Sequence, residues 1–227
     1  TLFPYTTLFR SLGACLVQNG QPVSFASQTL TKSELNYSQI EKEMLSVVFA
    51  TERFHQYVYG REFIVENDHK PLKFIFSKPI ACCPPRIQRM VLRLQKYKFE
   101  YKWIPGKDLL IADTLSRAPQ PAKANDTIIE TELECQVHMV KSSLPFSESE
   151  MNNFRSCVQS EAELHMLNNV IMSGWPENQD ELPPSVKEYW NFREELAVYD
   201  GLIYKGDRIL IPKQYRAEML GRIHEGQ

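Results

Sequence analysis

The sequence predicts an α/β fold, a mixed sheet flanked by helices, followed by a smaller α+β segment. Three observations predict it. "LGACLVQNGQPVSFASQTL" alternates in hydropathy on both sides of Asn19-Gly20, a pair that favours the tight turn of a β-hairpin. "YSQIEKEMLSVVFATERFHQYVYG" carries a helical period and stops at Gly60. Strand-like and helix-like runs then alternate as far as residue 118, the pattern of a layered α/β unit. The 227 residues are 43% hydrophobic and 24% charged, an ordinary globular composition with room for one or two domains.

Each later element has a local reason. "EFIVEND" is rich in β-branched and aromatic residues and reads as a strand. "HKPLKFIFS" is a short helix, and "PPRIQRMVLRLQKY" an amphipathic one opened by prolines. "KFEYKWIPGK" is a strand running into a Pro-Gly turn, and "LIADTLSRA" is the last short helix of the first unit. "APQPAKANDT" has the composition of a linker; residues 119–146 are read as one, with an isolated strand within 127–142. "SESEMNNFRSCVQSEAELHMLNNVIMSG" begins with a capping pattern and continues as helix, and a further helix covers about 184–196. "LAVYDGLIYKGDRILIP" is a small antiparallel unit with turns at Asp200-Gly201 and Gly206-Asp207, before a final helix in "KQYRAEMLGRIHEGQ".

The net charge of −2 conceals an asymmetry. Residues 12–119 hold 15 Lys+Arg against 10 Asp+Glu, whereas residues 120–227 hold 10 against 18. The first half therefore suits a polyanionic partner better than the total implies. Five cysteines (Cys15, Cys82, Cys83, Cys135 and Cys157) are odd in number and show no CxxC spacing, so they read as reduced thiols of an intracellular protein, not as a disulfide framework or zinc site. No window approaches a transmembrane stretch, and no membrane partner is expected.

Three carboxylates draw attention. On the long helix, Ile40, Met44, Val47, Ala50 and Phe54 form one stripe, and Glu43 lies inside it, whereas Glu41 sits well off it near Glu52. A carboxylate on a core-facing stripe is costly unless paired, protonated or bound to a metal; the plain alternative is a position at the rim, reaching solvent. Asp68 ends a strand, where α/β sheets build their sites, but it could equally cap the helix beginning "HKPL", and Glu66 is a rival on the same strand. Asp113 lies near the start of a short helix, where a cap or a favourable helix-end charge would also account for it. Carboxylates from separate elements could converge on a hard divalent cation such as Mg²⁺.

The helix at 86–97 carries Arg86, Arg89, Arg93 and Lys96 on one side and Ile87, Met90, Val91 and Leu94 on the other. A basic stripe backed by an apolar one can dock on a phosphate backbone; a solvated face has the same pattern.

Together, "GACLVQNGQPVSFASQTLTKSELNYSQIEKEMLSVVFATERFHQYVYG", "VENDHKPL", "PPRIQRMVLRLQKYKFEYKWIPGK" and "IADTLSR" resemble the ribonuclease H domain of gypsy-class LTR retrotransposon polyproteins, over residues 12–118. The resemblance implies a ribonuclease-H-like mixed sheet of five strands, two Mg²⁺ ions, and endonucleolytic hydrolysis of the RNA strand of RNA–DNA hybrids. It matches Glu43 of "EKEML", Asp68 of "NDHKPL" and Asp113 of "ADTLSR" to three of the family's four metal-binding catalytic carboxylates, choosing Glu43 over Glu41 and Asp68 over Glu66. The implied chemistry is in-line attack of a metal-activated water, leaving a 3′-hydroxyl and a 5′-phosphate. It also implies a reverse transcriptase upstream and an integrase downstream in one polyprotein, and a cytoplasmic virus-like particle, or the nucleus, as location. The alternative reading is a non-catalytic nucleic-acid-binding module of a degenerate or domesticated element.

The fourth carboxylate belongs to an Asp-Ala-Ser motif on the family's first strand, a few residues before "LGACL". Here that place is taken by "TLFPYTTLFRS", which has no acidic residue. Residues 1–11 are the residue-for-residue translation of a common sequencing-library adapter, so they read as an artefact to be left out of the fold, with the first strand truncated and activity impaired.

Residues 147–227 read as a helical segment and the truncated start of an integrase zinc-binding domain, which "YDGLIYKGDRILIPKQYRAEMLGRIHEG" resembles. His224 matches that family's first zinc-ligand histidine. The later ligands are absent, and one histidine cannot hold a structural zinc, so no Zn²⁺ is expected in this chain.

Overall fold

The computed structural model describes residues 2–7, 11–108 and 126–225. Five strands form one sheet: β1 (Leu2–Thr7), β2 (Ser11–Gln18), β3 (Gln21–Thr29), β4 (Glu62–Asn67) and β5 (Lys98–Trp103), in the order β3-β2-β1-β4-β5. The first three strands pair antiparallel, whereas β1–β4 and β4–β5 are parallel. At the hairpin, Asn19 and Gly20 both take positive φ (52° and 75°), the backbone that a two-residue turn between twisted strands requires.

β1 departs from expectation. The segment set aside as foreign to the fold occupies the central slot of the sheet, paired with β2 from Leu2↔Leu16 to Thr7↔Ser11. The first strand is therefore not missing from the sheet. Phe, Tyr and Thr suit a strand, and the edges of β2 and β4 offer backbone hydrogen bonds to whatever chain fills the gap. Pro4 cannot donate one, and the described ladder from β1 to β4 is confined to Leu2↔Val65.

Helix α1 (Gln39–Arg53) packs on the sheet and is entered through a capping box, in which the Ser38 backbone N–H and hydroxyl both donate to Glu41 Oε2 at 2.8 Å. It breaks at Phe54 into a short turn of helix, α2 (His55–Val58), before Gly60, so the expected single helix is two pieces. α3 (Pro71–Ser77) and α4 (Pro85–Leu94) follow, and α1 lies between the sheet and α4. Its burial is consequently almost complete: Met44, Val47, Val48 and Ala50 have no exposed surface, and Glu41 and Glu43 are buried with them.

The expected linker and isolated strand are instead part of a long helix, α5 (Asp126–Ser143), lying along α4. Leu133 is buried in the core of the first unit and Val137 in the core of the second, four residues apart on one helical face. Residues 119–125 of the linker and the short helix at "LIADTLSRA" lie outside the described residues. The next helix divides at Glu161 into α6 (Glu148–Ser160) and α7 (Ala162–Ser173), with the Ser147–Glu150 capping box formed at its start. Residues Lys187–Glu195 are 3₁₀-helical. β6 (Leu196–Tyr199), β7 (Leu202–Lys205) and β8 (Arg208–Ile209) make a second antiparallel sheet, and α8 (Lys213–Glu225) packs against it through Tyr215 and Met219. Asp200 and Gly201 form the expected tight turn with φ of 50° and 71°. All five cysteines are free thiols.

Candidate active site

The site lies where α1 crosses the C-terminal end of β4. Glu43 is only 4% exposed, so the alternative of a solvent-reaching rim position does not describe it. Two amides hold its carboxylate: Gln39 Nε2 donates to Oε1 at 2.8 Å from one turn earlier on α1, and Asn67 Nδ2 donates to Oε2 at 3.4 Å from the end of β4. Asn67 is fully buried, and its own Oδ1 accepts from the His69 backbone N–H at 2.7 Å. The Tyr101 hydroxyl on β5 lies 3.1 Å from Asn67 Oδ1 and 2.8 Å from the His69 carbonyl, and donates within that pair of acceptors. β4 and β5 thus fix the amide that fixes Glu43.

Asp68 is the next residue along. It does not cap α3, whose N-cap is Lys70 and which has no side-chain cap. Its backbone carbonyl accepts from Trp103 Nε1 at 2.9 Å, and its carboxylate reaches over Gly106, just past β5. The Tyr101 hydroxyl pKa is raised first by burial and then by the charges of Glu43 and Asp68. Glu43 is tied through the Asn67 amide to the end of β4, where Asp68 is the next residue of the chain. Burial also holds the His69 imidazole near a pKa of about 4, so the side chain beside Asp68 is neutral at physiological pH. Oxygen donors from two carboxylates, with neutral amide, phenol and imidazole around them, suit a hard divalent cation. The rival Glu66 pairs across strands with Lys102 at 2.9 Å. Asp113 lies outside the described residues.

Glu41 turns out to be as buried as Glu43, but faces the other way. Its Oε2 closes the capping box and its Oε1 lies 3.5 Å from Arg86 Nη1. Arg86 is buried too, with its guanidinium over the rings of Tyr37 (4.2 Å) and Tyr199 (4.4 Å) and paired with Glu134 of α5 at 2.9 Å. It is an internal anchor and does not lie on an open phosphate-binding face as the helical pattern suggested. Arg89 and Arg93 pair with Glu132 of α5 at 3.2 and 2.6 Å, and Arg93 and Lys96 with Glu52 at 2.8 and 3.7 Å. Sequence pattern located the stripe but not its occupant, because α5 is distant in the chain and was read as a linker.

Gln39 and Asn67 were missed as supports. The spacing of Gln39 to Glu43 (i, i+4) was the available signal. His224 is exposed on α8, and among the described residues no group of three or more His, Cys, Asp or Glu is placed to hold a metal. No helix among the described residues is long and apolar enough to cross a membrane.

Residues 9–97 match the family model described as "RNase H-like domain found in reverse transcriptase". The chain is similar to the retrovirus-related Pol polyprotein from transposon 297 of Drosophila melanogaster, 46% identical over 109 residues that make up 47% of this chain and 10% of that protein. It is also similar to those from transposon opus (30% identity, 64% of this chain, 16% of that protein) and transposon gypsy (33%, 51% and 11%) of the same organism. The chain spans about a tenth to a sixth of the length of these relatives. The opus match takes in more residues than precede α5, so it continues past the first unit. Among solved structures, RNase H1 from the halophilic archaeon Halobacterium salinarum NRC-1 matches with a TM-score of 0.40 and 15% identity, covering 50% of this chain and 89% of that one.

Proposed function

The chain carries the RNase H-like domain of reverse transcriptase found in retrotransposon Pol polyproteins, and from that premise we propose that this domain hydrolyses the RNA strand of RNA–DNA hybrids, and that the 227-residue chain does so poorly. The observation that supports the assignment is the buried Glu43 carboxylate of α1 held at 3.4 Å by Asn67, the residue that precedes Asp68 at the end of β4. RNase H-like folds generally use Mg²⁺. Two such ions, held by Glu43, Asp68 and Asp113, would lower the pKa of a bound water and offset the charge developing on the scissile phosphate.

The chain's own groups do the positioning. Gln39 and Asn67 keep the Glu43 carboxylate in one orientation, so little reorganisation is needed when charge develops nearby. Trp103 and Gly106 bracket Asp68. Of the basic stripe, Arg89 and Lys96 keep the most exposed side chains and are the residues we assign to phosphate contact, with Arg93 behind them. Poor activity follows from the first strand. Residues 1–11 supply no carboxylate beside Glu43 and Asp68, whatever their origin. The rest of the polyprotein, with polymerase before and integrase after, would present the hybrid and place the activity in a virus-like particle; the zinc site that would include His224 needs ligands beyond this chain.

The test compares two proteins on a labelled RNA–DNA hybrid in Mg²⁺. The chain as it stands is expected to cleave near background. With residues 1–11 replaced by a strand carrying Asp-Ala-Ser, cleavage should rise by at least about 100-fold, the scale of one electrostatic group at a reacting centre, and vanish again in Glu43→Gln. Robust cleavage by the unaltered chain sinks the claim of impairment, and none by the restored one sinks the assignment.

A further inference from the structure

A Pro-Gly pair after a strand invites a turn explanation, but Gly106 does not fit it. The described glycines at true turns, Gly20, Gly60, Gly201 and Gly206, have φ between +59° and +75°, where an L side chain is strained. Gly106 is not among the residues with positive φ. Its backbone is open to any residue, and it lies in a short 3₁₀ turn in which the Asp108 N–H donates to the Pro105 carbonyl at 2.9 Å.

The space beside it is not open. A Cβ at position 106 would lie 2.7 Å from Asp68 Oδ2, well inside contact distance, and 3.6 Å from Asp68 Cβ and Cγ. The carboxylate therefore occupies the volume of the missing side chain. The Asp68 main chain is fixed from the same side, by Trp103 Nε1 on its carbonyl and by the Ile104 N–H on the carbonyl of Asn67. The overlapping atom is the tip of a side chain, so relief comes by rotating the carboxylate away.

We infer that Gly106 is a positioning residue: the absence of a side chain there holds the Asp68 carboxylate in the orientation that faces a divalent cation. This rests on the metal-site reading above and adds a residue to it. A methyl group suffices to break the arrangement, and the Asp68 tip is the group that moves.

The experiment uses the full chain and its Gly106→Ala variant, with Mn²⁺ as probe. The Asp68 χ1 couplings are measured by NMR without metal, and Mn²⁺ affinity by titration. The expected result is a changed Asp68 rotamer, at least a tenfold weaker Mn²⁺ affinity, and an otherwise unchanged spectrum. In an Asp68→Ala background, Gly106→Ala should alter neither affinity nor melting temperature, because the atom it meets is gone. Unchanged couplings overturn the inference whatever the metal does. A changed rotamer with Mn²⁺ affinity intact overturns the positioning role while leaving the metal site standing. Failure of the parent chain to take up Mn²⁺ overturns both.

Discussion

The two halves of the chain carry opposite charge, and the structure puts that charge to internal use. In the first half, α4 turns Arg86, Arg89 and Arg93 toward α5; in the second, α5 offers Glu132 and Glu134 to meet them. Lys78 of the first half likewise meets Glu194 and Glu195 of the second at 3.7 and 3.0 Å. A positive balance read as an appetite for polyanions is partly consumed within the molecule. Two neighbouring carboxylates of α1 differ: Glu43 accepts from the amides of Gln39 and Asn67, whereas Glu41, two residues earlier and also buried, faces a guanidinium. Charge met by charge joins the halves here.

The strongest way to break this contrast is Arg86→Met. It strands Glu41 in the interior and removes the cation between Tyr37 and Tyr199, so a loss of about 3–5 kcal/mol in urea unfolding is expected. The added change Glu41→Gln, which keeps the capping box, should return most of it; if it returns none, the cost lies in the lost contacts to Glu134 and Tyr199 and not in an unpaired Glu41. Leu133→Ala comes next, at about 2–4 kcal/mol, because it empties a fully buried position that docks α5 on the first unit. A cost below about 0.5 kcal/mol would mean that α5 is held by its ion pairs alone.

Smaller effects sharpen the comparison. Glu132→Gln alone frees Arg89 and part of Arg93 with little change of shape. Hybrid binding at low salt should tighten several-fold, with a salt slope steeper by about 1 to 2; an unchanged slope denies those cations a phosphate role. The smallest effect is a pH one. Glu150, in the α6 capping box, is held at about 2 by the Ser147 backbone N–H, then by the Ser147 hydroxyl and Arg222. Its folded pKa lies below the ordinary 4.5, so its stabilising contribution is present above pH 4.5 and lost as pH falls through about 2. Carboxyl NMR should find its midpoint near 2 in the parent and only part of the way back toward 4.5 in Ser147→Ala, which removes the hydroxyl but keeps the backbone N–H and Arg222.

Much of the fold was legible because it is local. Asn19-Gly20, the α1 stripe, the prolines opening α4 and the Asp200-Gly201 turn each announce their structure within a few residues. What was not legible depends on partners far along the chain. α5 has Leu133 and Val137 on one face, but its glutamates make sense only once α4 lies beside them. Helix geometry sets Glu43 on the core stripe and Glu41 off it, yet both are buried, because α1 is covered on more than one side. Gly106 looked like a turn glycine because sequence does not report φ.

β1 has a wider consequence. The central slot of the sheet selects on backbone: an extended segment that can pair with β2 is accepted, and no carboxylate is asked for. Chemistry at that slot is a separate requirement, because backbone pairing leaves the identity of the side chains open. Architecture and catalysis are thus decoupled at the strand where they would be expected to coincide. A sheet that closes around any extended segment in its central slot can therefore look whole by its backbone while its fold says nothing of what that strand's side chains are able to do.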